Sequence, residues 1–166
     1  MMKVKRHEGH EREFPHAHIY HILLPIIFMV VWFLDSQIFQ LSTILNDYIP
    51  LFIRFPLFII ILIIALAFIL VSHRVLFKSH QPPNKLITTG ILGHVRNPMY
   101  FGILLIYIAF ISFSISLISF ALFFLIFLVY DKMVNFEESI LEKKFSSQYL
   151  TYKRKVPKWI PNPFKK

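Results

Sequence analysis

The sequence predicts an all-α polytopic membrane protein with about four transmembrane helices. The last two form a helical hairpin, and a C-terminal cytoplasmic amphipathic helix follows. Three observations predict this. Hydrophobic residues are 56% of the 166 and charged residues 16%, whereas a soluble domain averages roughly 45–50% and about 25%. Three long runs carry no Asp, Glu, Lys or Arg. Seventeen of the 18 Lys and Arg residues lie on segments that such a layout puts on one side of a membrane. The length is that of one domain. Zero cysteines exclude disulfides, thiolate metal sites and thiol nucleophiles.

The uncharged runs are Phe14–Leu34, Phe55–His73 and Asn97–Tyr130. A spanning helix needs about 20 apolar residues, so the first two predict single spans at Ile19–Phe39 and Leu51–Val75. As one helix the third run would be about 51 Å long, too much for a hydrocarbon core of about 30 Å. Its middle, Ser112-Phe113-Ser114-Ile115-Ser116, predicts a turn between helices near 98–112 and 115–132, with hydroxyls to bond the freed backbone groups. The first span is too long for the apolar part of a signal peptide and has no small-x-small cleavage site after it.

Basic residues test the count. They cluster before the first span (Lys3, Lys5, Arg6, Arg12), between the second and third (Arg74, Lys78, Lys85, Arg96) and after Tyr130, leaving Arg54 alone on the other side. The positive-inside rule then places both termini in the cytoplasm, which requires an even number of crossings. The basic balance is thus read as topology rather than as a nucleic-acid footprint. Three regions result: a His-rich cytoplasmic tail (1–18), a transmembrane core (19–132), and a cytoplasmic helix with a basic-aromatic tail (133–166). Membrane lipids are the expected surroundings and the cell membrane the expected location. Oligomeric state is left open.

Two segments could carry chemistry. Leu86–Gly102 holds three of the four glycines, at 90, 93 and 102, and Arg96-Asn97-Pro98. Glycine allows positive φ and close approach to a ligand. Asn97 is read as a helix N-cap with Pro98 in the first turn, and the amides beyond it suit an anion. The alternative is a plain membrane-entry loop. The second segment is Glu137-Glu138, which point about 100° apart on a helix. One could face a ligand while the other faces water, or both could form an exposed acidic turn.

Read jointly, these segments resemble the integral-membrane methyltransferases that include isoprenylcysteine carboxyl methyltransferases and phospholipid N-methyltransferases. The shared pattern is Thr89-Gly90, Arg96-Asn97-Pro98-Met99-Tyr100-Phe101-Gly102, an uncharged hairpin, Glu137-Glu138, then Leu141, Phe145, Tyr149, Tyr152 and Val156–Ile160. The resemblance implies a methyltransferase that uses S-adenosylmethionine in a cytoplasm-facing pocket, between the loop before the hairpin and the C-terminal helix. Carried over by position, the cofactor-binding residues are Asn84, Lys85, Leu86, Ile87, Leu92, Arg96, Asn97, Pro98, Met99, Tyr100 and Glu137. Methyl transfer from a sulfonium needs little acid-base help, most of the acceleration coming from alignment in a dry pocket, so catalytic residues are left open; no metal is expected. The prenylcysteine enzymes keep an arginine four residues before the first glutamate; here Met133 stands there, beside Lys132. The implied acceptor is therefore a lipophilic small molecule, isoprenoid, lipid or prenylcysteine-like, with the methylated atom open.

Other residues have competing readings. His7, His10, His16, His18 and His21 could bind a metal or form a flexible polar tail. Asp35 could belong to an ion path or sit at the membrane boundary, with Arg54 as its partner. Trp32 reads as bulk in a span, and Tyr149, Tyr152 and Trp159 as an interfacial belt. A small transporter or a non-catalytic scaffold are the competing functions. The first lacks a carboxylate near a midplane and a repeat, and the second leaves both motifs unexplained.

Overall fold

Helices form where the uncharged runs predict them. The computed structural model describes Phe14 and residues 17–76 and 85–161; the histidines at 7, 10 and 16, Lys78 and Asn84 lie outside these. Helix α1 spans Ala17–Phe33 and continues as a π-helical turn, Leu34–Phe39; α2 spans Leu51–Leu76. After a 3-10 turn at Gly90–Gly93 come α3 (Pro98–Ser114), α4 (Leu117–Phe145) and the short α5 (Ser147–Lys155). The segments Ala17–Phe39, Leu51–Leu76 and Leu117–Phe145 are long and apolar enough to cross a membrane, and α3 is a shorter apolar helix. Large apolar side chains on them face outward, Ile22, Ile63 and Phe124 being about 60% exposed; a surface this apolar belongs in lipid.

Two boundaries differ from expectation. Ala17 and His18 are helical rather than part of a tail. Helix α4 runs unbroken through 132, and its 29 residues make a rod of about 43 Å, longer than a hydrocarbon core. Its far end therefore projects beyond the apolar layer without a separate helix starting there.

The hairpin turn falls where the serines are. Ile115 takes a left-handed conformation at φ 43°, and the Ser116 hydroxyl caps α4 by accepting from the Ser119 amide at 2.9 Å. Asp35, 3% exposed, locks this end. It accepts from the Ser42 amide at 3.0 Å and from the hydroxyls of Ser42 and Ser116. Arg54 is not its partner. The guanidinium donates instead to the carbonyls of Ile49 and Phe113, the latter an orphan acceptor in the last turn of α3. Trp32 is more than bulk, since its indole N–H donates to the Phe110 carbonyl at 3.0 Å and to Ser114 at 2.9 Å.

Gly102 also plays a different part. It lies inside α3, and an added Cβ there would come 2.7 Å from Ile69 and 2.9 Å from the Ala65 carbonyl. Its missing side chain admits helix α2 rather than a ligand, as small residues do between membrane helices. Gly90, at φ 63°, is the glycine whose conformation an L side chain resists.

Candidate functional site

The end of the bundle opposite Asp35 gathers the start of α1, the end of α2, the start of α3 and the end of α4 around α5. Arg96 holds it together. Its Nε donates to Glu138 Oε1 at 3.0 Å and Nη2 to Oε2 at 3.3 Å, with the two side chains only 8% and 3% exposed. Its Nη1 donates to the carbonyls of Lys153 and Val156 at 2.8 and 3.2 Å, where a cation also suits the negative end of α5. Its own amide donates to the Pro157 carbonyl at 2.9 Å. Asn97 stands at the N-cap position of α3 but its side chain makes no capping bond; its side-chain amide donates to Glu138 Oε1 at 3.0 Å and to the Lys158 carbonyl at 3.3 Å. Neither glutamate makes an exposed acidic turn. Glu138 is buried in this clamp, which Lys153 joins at 3.6 Å.

Tyr149 and Tyr152 are not a membrane belt. Both are buried, and the Tyr152 hydroxyl donates to the Leu92 carbonyl at 2.6 Å. Burial raises both phenols above the ordinary tyrosine range; the Glu138 charge adds to this and Arg96 opposes it. They therefore stay protonated and able to donate. Trp159 is tied to Asp131 through its indole N–H at 3.0 Å.

Beneath the clamp lies a cavity of about 910 Å³, within the range of small-molecule sites. Lys85, Leu86, Ile87, Leu92, Arg96, Asn97, Pro98, Met99, Tyr100 and Glu137 all line it. Asn84 is outside the described residues. Arg96 and Asn97 reach this wall, though their polar groups are engaged by the clamp. Glu137 faces the cavity, and the Tyr100 hydroxyl donates to its carboxylate. Farther in, the wall becomes apolar and aromatic, with Phe28, Met29, Ile103, Ile106 and Phe110.

Helix α1 supplies a wall that the sequence reading missed. His18, His21, Ile22, Pro25, Phe28 and Met29 line the cavity, with the His21 ring 5.5 Å from Tyr100 and 5.7 Å from Tyr130. Their three- and four-residue spacing is one helix face, and two histidines on an apolar helix were the available signal. His18 and His21 thus belong to the site rather than to a flexible tail. Among the described residues no group of three or more His, Asp or Glu could hold a metal ion. Met133 is fully buried in the core, away from the cavity wall, and Lys132 is exposed.

The profile of the phospholipid methyltransferase family matches residues 49–148, more than half of the chain. The chain belongs to the phospholipid methyltransferase family. No curated protein and no solved structure matches it. The phospholipid methyltransferase match covers α2, the glycine loop, the hairpin and both glutamates. Helix α1 and nearly all of α5 lie outside it, yet each contributes wall to the cavity. Family membership makes the chain a membrane methyltransferase.

Proposed function

We propose that the chain transfers a methyl group from S-adenosylmethionine to a lipophilic acceptor: an isoprenoid, a lipid or a prenylcysteine-like molecule. One observation carries the reading: a single cavity joins a polar pole at Glu137 and Tyr100 to an apolar wall on the membrane-spanning parts of α1 and α3. The donor set suits the cofactor. The Glu137 carboxylate matches an ammonium, the Tyr100 ring offers a stacking face, and the amides opening α3 match a carboxylate. When bound, S-adenosylmethionine supplies an electrophilic methyl group on a sulfonium. The chain's contribution is alignment and exclusion of water: α5 roofs the pole and Phe28 and Phe110 dry the inner end.

The pole is placed at the cytoplasmic face, with both termini there and the cell membrane as the location. Supporting this, Arg74, Lys85, Arg96 and the described cations after Tyr130, from Lys132 to Lys158, sit on the site's side of the helices, with Arg54 at the other end. Residues 133–166 are read as the cytoplasmic part that completes the pocket.

The test is transfer of radiolabelled methyl from S-adenosylmethionine by purified protein in native lipid extract, followed by identification of the labelled product. Label in an organic-soluble product, lost in the Glu137→Ala variant, is expected. No transfer to any lipid fraction would overturn the reading. Reporter fusions at Asn46 and after Lys166 test orientation; an outside Lys166 would overturn that part.

A further inference from the structure

The cavity wall repeats itself every two helical turns. On α3, Tyr100 and Tyr107 are seven residues apart; on α4, running the other way, so are Tyr130 and Glu137. Seven residues are about 10.5 Å of helix and nearly the same face. All four residues line the cavity, and they meet as two rungs. In the outer rung the Tyr100 hydroxyl bonds Glu137. In the inner rung the hydroxyls of Tyr107 and Tyr130 face each other at 3.4 Å. Helix α1 matches the spacing, with His21 against the rings of Tyr100 and Tyr130 and Phe28 at 4.7 Å from Tyr107.

The inner rung is out of place in a merely apolar wall. Tyr107 and Tyr130 are 3% and 0% exposed, among aromatic and aliphatic neighbours. Two phenols bring two O–H donors, and a mutual bond uses one. At 3.4 Å that bond is longer than the usual 2.7–2.8 Å between hydroxyls, and no other hydrogen bond reaches either oxygen among the described residues. A polar pair held in a membrane-spanning region with a donor to spare marks a binding function.

We propose that the Tyr107–Tyr130 hydroxyl pair is the recognition site for a hydrogen-bond-accepting oxygen of the lipophilic methyl acceptor, an ester or ketone carbonyl, ether or hydroxyl, seated about two helical turns inward of Glu137. This rests on the cavity taking such an acceptor. The outer rung holds the cofactor's polar end, and the inner rung sets how deep the acceptor enters. The reacting atom then lies between the rungs, beside Tyr100 and His21, whose rings cover Tyr130. A pure hydrocarbon of equal length fits the same wall and leaves the donor unused.

The test compares methyl palmitate with nonadecane for retention by purified protein in maltoside micelles, after correction for partition into empty micelles. Wild-type protein is expected to favour the ester by about 2- to 12-fold, the range of one neutral hydrogen bond. Tyr107→Phe or Tyr130→Phe alone leaves one donor and keeps a preference; the double variant loses it. A second measurement needs no variant: the carbonyl stretch of 13C-labelled methyl palmitate should move to lower frequency on binding wild-type protein. An unshifted carbonyl, no ester preference, or a preference that survives in a folded double variant each overturns the proposal. Calorimetry of S-adenosylmethionine binding reads the outer rung separately, so failure of the cofactor assignment is distinguishable from failure of this one.

Discussion

Arg96 and Glu138, 42 residues apart, form a two-point ion pair that closes α5 over the cavity while Glu137, one residue away, looks into it. Adjacent carboxylates therefore have separable jobs. Glu138 builds the roof, and Glu137 furnishes the wall beneath it.

The separation is measurable. Glu138→Ala leaves a buried guanidinium without its counter-charge, a loss of about 3–5 kcal/mol, and should lower the thermal midpoint in detergent sharply. Glu137→Ala should leave that midpoint nearly unchanged and weaken S-adenosylmethionine binding by about 10- to 150-fold, the worth of a charge-assisted hydrogen bond. Similar effects of the two variants on both readouts would contradict the division of labour.

Arg96→Lys is expected to behave as a loss of the clamp rather than as a conservative change. A lysine ammonium cannot span both Glu138 oxygens and the carbonyls of Lys153 and Val156 together. Limited proteolysis after Lys153 and Arg154 should become faster in this variant while cleavage elsewhere is unchanged.

Gly102→Ala should separate α2 from α3, because the new methyl meets Ile69 and the backbone of helix α2 below 3 Å. Overpacking of this kind costs about 1–3 kcal/mol, readable as a lower unfolding midpoint in detergent. Gly93→Ala meets only the Thr88 carbonyl at 3.2 Å and should cost less.

Alkali should loosen the roof through its phenols. Burial raises Tyr149 and Tyr152 in the folded state, so their contribution is complete below the ordinary tyrosine value of about 10 and is lost as pH rises beyond it. Unfolding midpoints followed from pH 8 to 11 should fall, and Tyr152→Phe should flatten part of that fall. An equal slope in the variant would remove Tyr152 from the account.

Acceptor choice should depend on the tail more than on a carboxylate. With Met133 in the core and Lys132 exposed, neither supplies a cation to the cavity. About ten buried carbons at roughly 0.8 kcal/mol each outweigh most head-group contacts. A prenylcysteine analogue with its carboxylate blocked and another nucleophile offered should still accept methyl, while the water-soluble head alone should not. Transfer confined to a free-carboxylate prenylcysteine would refute this.

Apolar runs, their lengths and the distribution of cations were sufficient for the fold class, the helical segments and the end of the bundle where the polar chemistry gathers. These depend on helix geometry and hydrophobicity, which are local and additive along the chain. The family motif placed ten residues on one wall because the start of α3, Arg96–Tyr100, faces Glu137 two turns before the end of α4. What local pattern could not decide was partnership. Two adjacent glutamates diverge by about 100° whatever surrounds them; only the arrival of Arg96 from the loop before α3 decides that Glu138 is the buried one. The same holds for Asn97, drawn from capping to the clamp, for Arg54, drawn from Asp35 to the Phe113 carbonyl, and for Gly102, emptied for α2. In the sequence His21 follows a run of tail histidines, and Tyr107 and Tyr130 stand in an uncharged run with nothing to single them out. Their meeting needs three helices at a common two-turn spacing, a relation that packing alone creates.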